Sequence, residues 1–213
     1  MDLTIVGCGY VGLALAERLQ PRRPQLKLML TTTNSERLEQ LDPLADRVEV
    51  CDATNPMQLL AALRQSSSAV FCLGPKGDRQ VDANGYRHTF VDSFRCLTSL
   101  LPQLRELRQI VYTGSCSIYG DAEGDWVDEQ TPPAPSRGHG DVLLESEQLL
   151  SGISDRRVCI LRTMALAAIL IDACADLLDW NVLATERPTA TGCMWRMPPV
   201  PWKPLSMLNG PVW

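Results

Sequence analysis

Lysine is scarce in this chain of 213 residues: Lys27, Lys76 and Lys203 are all there is. Positive charge is in deficit generally, with 20 Lys and Arg against 25 Asp and Glu for a net charge of -5. A surface of that sign has no bulk attraction for phosphate backbones, which argues against a nucleic-acid module. Histidine occurs twice, at His88 and His139. The eight cysteines (Cys8, Cys51, Cys72, Cys96, Cys116, Cys159, Cys174 and Cys193) form no Cys-x-x-Cys pair. Zinc-site spacing is therefore missing, and no metal is expected. Most of these cysteines lie in apolar runs such as VEVC, VFCL and RVCIL, as small buried hydrophobes of a reducing cytosol do. No uncharged apolar run of about 18 residues exists, so no membrane-spanning helix is expected. The opening MDLTIVG lacks a basic segment leading into a long apolar stretch, so it does not read as a signal peptide.

What is present is an alternation of short apolar runs with helix-period segments. Strands are predicted at 3–6, 26–31, 48–51, 69–73, 109–113 and 157–161. Helices are predicted at 11–19, 36–41 (with Ser35 as cap), 56–63, 86–101 and 142–150. Near-continuous apolar strands separated by helices imply a parallel sheet covered on both faces, a Rossmann-type doubly wound α/β fold. The 86–101 helix carries Tyr86, Phe90, Phe94, Leu97 and Leu101 on one stripe, which reads first as core packing. Composition changes after Arg162: residues 163–213 hold four of the five tryptophans and six of the fifteen prolines, with no Tyr or Phe. A helix over 163–184 fits the pattern, but MPPVPWKP beyond it enters no regular element. The chain thus divides into a domain at 1–162 and an atypical tail at 163–213.

The segment IVGCGYVG sets Gly7, Gly9 and Gly12 in Gly-x-Gly-x-x-Gly spacing, directly after the first predicted strand and at the opening of a helix. That context makes the loop a pyrophosphate cradle. Gly7 permits the tight turn, Gly9 lets backbone approach the diphosphate, and Gly12 allows close helix–strand packing. Tyr10 and Val11 then head the helix whose N-terminus favours the anion. About 20 residues on, an acid would bind the ribose 2′-hydroxyl. This chain instead has Thr31, Thr32, Thr33 and Asn34, with Arg37 close by. That set favours NADP, with NAD as the other option, and Arg37 reads equally well as a solvated helix residue. Asp52, after the third strand, either meets the adenine amino group or serves the start of the next helix. Leu73, Gly74 and Pro75 end the fourth strand, where backbone passes the cofactor.

YTGSCSIYGD, WVDEQTPPAPS and LLESEQLL, behind such a glycine loop, resemble the extended short-chain dehydrogenase/reductases. More narrowly, they resemble the NAD-dependent epimerase/dehydratase group, over about residues 1–162. The resemblance implies that Ser115 hydrogen-bonds the reacting oxygen, that Tyr119 lines the substrate side ahead of Gly120, and that Thr113 and Gly114 lie under the cofactor. The group's proton carrier is a tyrosine with a lysine four residues on and a glutamate four further. Counted back from Glu147, those places fall on His139 and Leu143, and no lysine of this chain follows a tyrosine by four. An imidazole at His139, beside Arg137 and Asp141, is able to act as acid or base. The same residue also reads as a solvated loop histidine. Tyr119 is a reserve donor, with a phenol pKa expected near ~10 in the absence of a lysine. After Arg162 the group's glycine-rich turn and substrate lobe are replaced by LRTMALAAIL, as a truncated or frame-disrupted lobe would read.

These features imply an NAD(P)-dependent oxidoreductase or epimerase acting on a small or nucleotide-sugar-like substrate. Two other readings stand beside it: a non-catalytic dinucleotide sensor, and an inactive truncated product. In relatives the 86–101 helix also serves a two-helix dimer contact, so a homodimer is the second use of its stripe. No nucleic acid or membrane partner is expected.

Overall fold

The computed structural model of the chain describes residues 2–75, 82–122, 125–136 and 138–163. The tail predicted at 163–213, apart from Thr163, and the residues Lys76 and Arg137 lie outside the described residues. Six strands pair in the order β3-β2-β1-β4-β5-β6. They are β1 (Asp2–Val6), β2 (Lys27–Thr32), β3 (Arg47–Val50), β4 (Ser68–Phe71), β5 (Gln109–Ser115) and β6 (Arg157–Thr163). All five pairings are parallel. The order reverses between β1 and β4, so the crevice outside their C-terminal ends is the place where this topology holds ligands.

Helices cover both faces. On one, α1 (Tyr10–Arg18) and α2 (Leu38–Leu41) close over Leu3, Ile5, Leu28 and Leu30. On the other lie α3 (Pro56–Leu63), α4 (Ala83–Tyr86), α5 (Ser93–Leu100) and α6 (His139–Ser151), packed on Val6, Phe71, Ile110 and Tyr112. This two-sided burial is why the strands read as continuous apolar runs. Among the described residues no helix is long and apolar enough to cross a membrane.

The local departures from expectation have physical causes. Asn34, not Ser35, caps the turn after β2: its Oδ1 accepts the Glu36 N–H at 2.9 Å, and the segment opens as a 3-10 turn before α2. Asn55 caps α3, with Pro56 in the first turn where its missing N–H costs nothing. The long helix begins earlier than predicted, at Ala83, because Asp82 caps it onto the Gly85 N–H at 2.8 Å. Between α4 and α5 it passes through a π-type segment, Arg87–Asp92. Phe90, Phe94 and Leu97 are buried as the stripe implies, with Leu100 deeper than Leu101. The HGD sequence, read as loop, is the first turn of α6: Asp141 reaches back to accept the Gly138 N–H at 3.1 Å. Strand β6 runs on through Thr163, which takes that residue out of the helix expected over 163–184.

Candidate functional site

Parallel pairing puts the end of every strand on one edge of the sheet, and the predicted cofactor residues collect there. Gly7 leaves β1 with φ +87°, and a Cβ built on it would lie 2.7 Å from the Cys72 carbonyl oxygen. A Cβ on Gly12 would lie 2.8 Å from the Gly7 carbonyl oxygen and 3.1 Å from Ile5 Cγ2. Both glycines are therefore required by the protein itself. Gly9 differs: a Cβ there meets nothing within 4 Å. Its outward face is open, and no side chain caps α1. The first-turn N–H groups of Tyr10, Val11 and Gly12 have no intrahelical acceptor. An open backbone face at the positive end of a helix, at the switch point of the sheet, fits a diphosphate.

The loop is braced by the segment after β2. Gly7 N–H donates to Thr31 Oγ1 at 3.2 Å, and Cys8 N–H donates to the Thr31 carbonyl at 2.7 Å. Arg37 Nη1 donates to the Cys8 carbonyl at 2.5 Å, and its Nε to Gln40 Oε1 at 3.3 Å. In the sequence Thr31 marks only the place of a missing acid; its bracing role arises in three dimensions. Thr32 is buried and accepts the Asn34 N–H, whereas Asn34 and Glu36 are exposed in the turn beside Arg37. Glu36 adds a carboxylate to this turn outside the expected spacing. Asp52 Oδ1 accepts both the N–H and the hydroxyl of Thr54, at 3.0 and 2.7 Å. Leu73 and Pro75 are half-buried and Gly74 is exposed. Thr113 donates its hydroxyl to the Phe71 carbonyl at 3.1 Å, latching β5 to β4.

Burial pushes the Cys8 thiol up to about 11 and the Cys72 thiol up to about 12, with Arg37 opposing the rise at Cys8 and a Thr113 hydrogen bond opposing it at Cys72. Both sit in the apolar cluster under the loop as protonated, space-filling groups.

At the far side of the edge, Ser115 ends β5 and its Oγ accepts the Ser117 N–H at 3.2 Å, capping the 3-10 turn Cys116–Tyr119. The N-terminus of α6 lies against that turn: a Cβ on Gly140 would stand 3.2 Å from the Ser117 carbonyl oxygen and 2.8 Å from Pro135 Cβ. His139 is the residue before Gly140 at this helix start. It is half-buried and stacks on Tyr86, ring centroids 4.0 Å apart and planes 17° from parallel.

Tyr119 lies elsewhere in function. Its hydroxyl donates to the Asp128 carbonyl at 2.9 Å and accepts from Arg162 Nη1 at 2.7 Å, and the residue is buried. Arg162 also donates through Nε and Nη2 to Glu147 Oε2 at 3.0 and 2.8 Å, and its Cζ sits 5.2 Å from the Tyr119 ring centre. The Tyr119 phenol departs from the free-phenol value expected from the sequence. Burial pushes the Tyr119 phenol upward, and the Arg162 hydrogen bond and charge offset part of the rise. A phenol whose proton already serves a carbonyl ties Asp128 to β6 through Arg162 instead of offering a proton to solvent.

In the sequence Glu147 only marks the register of the motif. The structure shows it buried, with Oε1 lacking a hydrogen-bond partner, as does the Tyr112 hydroxyl nearby. Burial raises the Glu147 carboxyl above the ordinary range, with Arg162 opposing. Linkage fixes the sign: the folded state holds this proton more tightly than the unfolded chain. The contribution is full below the unfolded value near ~4.3 and lost as pH rises through the raised folded value. Unfolding midpoints in urea across that window should fall less steeply with pH in Glu147→Gln than in the parent.

Taken together, fold and site define a doubly wound α/β protein with a dinucleotide-type glycine turn at its switch point. The chain belongs to the NAD dependent epimerase/dehydratase family, whose model matches residues 3–167. It is 33% identical over 175 residues to protein YeeZ of Escherichia coli K12, covering 77% of this chain and 58% of YeeZ. The chain thus spans less than two thirds of that relative's length. Among solved structures, UDP-glucose-4-epimerase of Stenotrophomonas maltophila, with bound NAD and formylated UDP-arabinopyranose, superposes with a TM-score of 0.64 at 16% identity, covering 76% of this chain and 52% of that one. dTDP-glucose 4,6-dehydratase of Bacillus anthracis, in complex with NAD, gives 0.63 at 14% identity, covering 76% and 54%.

Proposed function

We propose that the chain binds a nicotinamide dinucleotide along the edge formed by Gly7, Gly9, Tyr10, Val11 and Gly12, and that it serves oxidoreductase or epimerase chemistry on a small or nucleotide-sugar-like substrate. The observation that carries this is Gly9: it is a glycine that no neighbouring protein atom demands. Its bare face at an uncapped helix start is explained by close approach of a ligand. NADP is the preferred form. Arg37 is fixed beside the loop through the Cys8 carbonyl, and Thr31 and Thr32 stand where an acid would repel a 2′-phosphate. Asn34 in the same turn and Asp52 after β3 are assigned to the adenosine end, and Leu73, Gly74, Pro75 and Thr113 to the floor.

When bound, the dinucleotide supplies hydride transfer at its nicotinamide carbon. The protein's share is orientation. Ser115 retains a hydroxyl proton to donate to the reacting oxygen, and proton handling falls to His139 or to the ring stacked on it, because the Tyr119 hydroxyl is committed to Asp128.

Gly9→Ala is the test. Nothing of the protein lies in the way, so the unfolding free energy should change by no more than about 1 kcal/mol, as for an N-cap change. Affinity for NADPH, read by fluorescence titration, should fall about tenfold or more, or ~1.4 kcal/mol. Unaltered affinity in a folded Gly9→Ala protein would reject the site. The sensor reading predicts the same binding result but no turnover across a carbonyl and nucleotide-sugar panel.

A further inference from the structure

Hydride chemistry on a carbonyl or carbinol needs a proton carrier beside Ser115, and the chain has four phenols: Tyr10, Tyr86, Tyr112 and Tyr119. Three are placed so that they cannot serve. Tyr10 heads α1 with 79% of its surface exposed, on the glycine-loop side. Tyr112 is fully buried within β5. Tyr119 gives its proton to the Asp128 carbonyl and takes one from Arg162.

Tyr86 is different in each respect. It is half-buried at the end of α4 and stacked face to face on His139. Behind it runs a continuous set of ring contacts: Tyr86–Phe90 at 5.4 Å, Phe90–Tyr112 at 6.4 Å, Tyr112–Phe94 at 4.8 Å and Phe94–Phe71 at 5.4 Å. These fix the ring against the sheet. Its platform, His139, sits on the helix end that packs against the Ser115 turn.

We propose that Tyr86 carries the proton in this site, with His139 as the residue that positions its ring. The phenol comes from the long helix instead of from α6. This inference rests on the dinucleotide reading above. In the reducing direction, the substrate carbonyl carbon accepts hydride from the reduced nicotinamide, and its oxygen takes the Tyr86 proton. The products are a carbinol, an oxidised nicotinamide and a phenolate, which recovers its proton from water. Among the described residues, these titratable groups lie around Tyr86. Tyr112 of β5 is buried behind it. Asp82, the cap of its own helix, is committed to the Gly85 N–H. Arg87, the next residue, is bound bidentately by Glu145 of α6, and Asp141 of α6 holds the Gly138 N–H.

The test uses the full chain and needs no substrate. Calorimetry with NADP+, NADPH, NAD+ and NADH first establishes binding. Phenolate absorbance is then titrated in each saturated complex. A cationic nicotinamide ring beside a phenol favours phenolate, and a neutral reduced ring does not. The expected result is one tyrosine whose midpoint lies about one unit lower, tenfold in ionisation constant, with the oxidised form than with the reduced form. The difference should disappear in Tyr86→Phe, which keeps the ring and its stack. It should survive in His139→Phe and shrink in His139→Ala, where the platform is gone. No binding of any dinucleotide overturns the reading on which the proposal rests. Binding with identical titrations in both redox states, or a difference that persists in Tyr86→Phe, overturns the assignment of Tyr86 alone.

Discussion

Arg162→Met will lower the unfolding free energy by about 3–5 kcal/mol, the range for removing one partner of a buried ion pair. The size follows from what is left behind. Glu147 is buried, its Oε2 takes both arginine bonds, and its Oε1 has no other partner. Without the guanidinium, the carboxylate must be ionised in an apolar setting or take up a proton. The same change removes the donor to the Tyr119 hydroxyl, which keeps its own bond to the Asp128 carbonyl. Chemical denaturation of the parent and the variant at neutral pH measures the loss. Adding Glu147→Leu to Arg162→Met should recover most of it, because a buried pair replaced by apolar groups of similar size is often neutral. A loss below about 1 kcal/mol, the value of an exposed pair, would mean that water reaches Glu147 and that the pair is a surface feature.

Gly7→Ala is the second large effect, and it acts on stability and binding together. The alanine must adopt φ +87° and set its Cβ 2.7 Å from the Cys72 carbonyl oxygen. The left-handed conformation costs about 1–2 kcal/mol, and pushing apart two well-packed strand ends costs about 1–3 kcal/mol more. The displaced turn no longer presents the Gly9 backbone, so NADPH binding should be abolished along with a fall in thermal midpoint. The contrast with Gly9→Ala is the informative part. One glycine is required by the protein and the other only by the ligand, so the two variants should separate in stability while agreeing in lost affinity.

Much of this was legible in one dimension. Continuous apolar strands between helical segments imply a parallel sheet buried on both faces, because only such strands have no wet side. The Gly-x-Gly-x-x-Gly spacing marks the turn because backbone conformation and steric room are local properties of those residues. The expected loop at His139 became a helix start because one hydrogen bond from Asp141 back to Gly138 outweighs the loop character of two glycines. The cap shift from Ser35 to Asn34 is a one-residue choice between two good capping side chains, which composition cannot rank.

Residue order alone therefore determined the sheet, the glycine turn and the absence of a Tyr-x-x-x-Lys pair, all of which depend on neighbours within a few positions. Tertiary packing decided the rest. It joined Arg162 to Glu147 and Tyr119 across 15 and 43 residues of chain. It set Thr31 and Arg37 against the glycine loop across 24 and 29, and it laid Tyr86 on His139. Side-chain partnership at such separations is fixed by which elements the core brings together, and no local spacing encodes it.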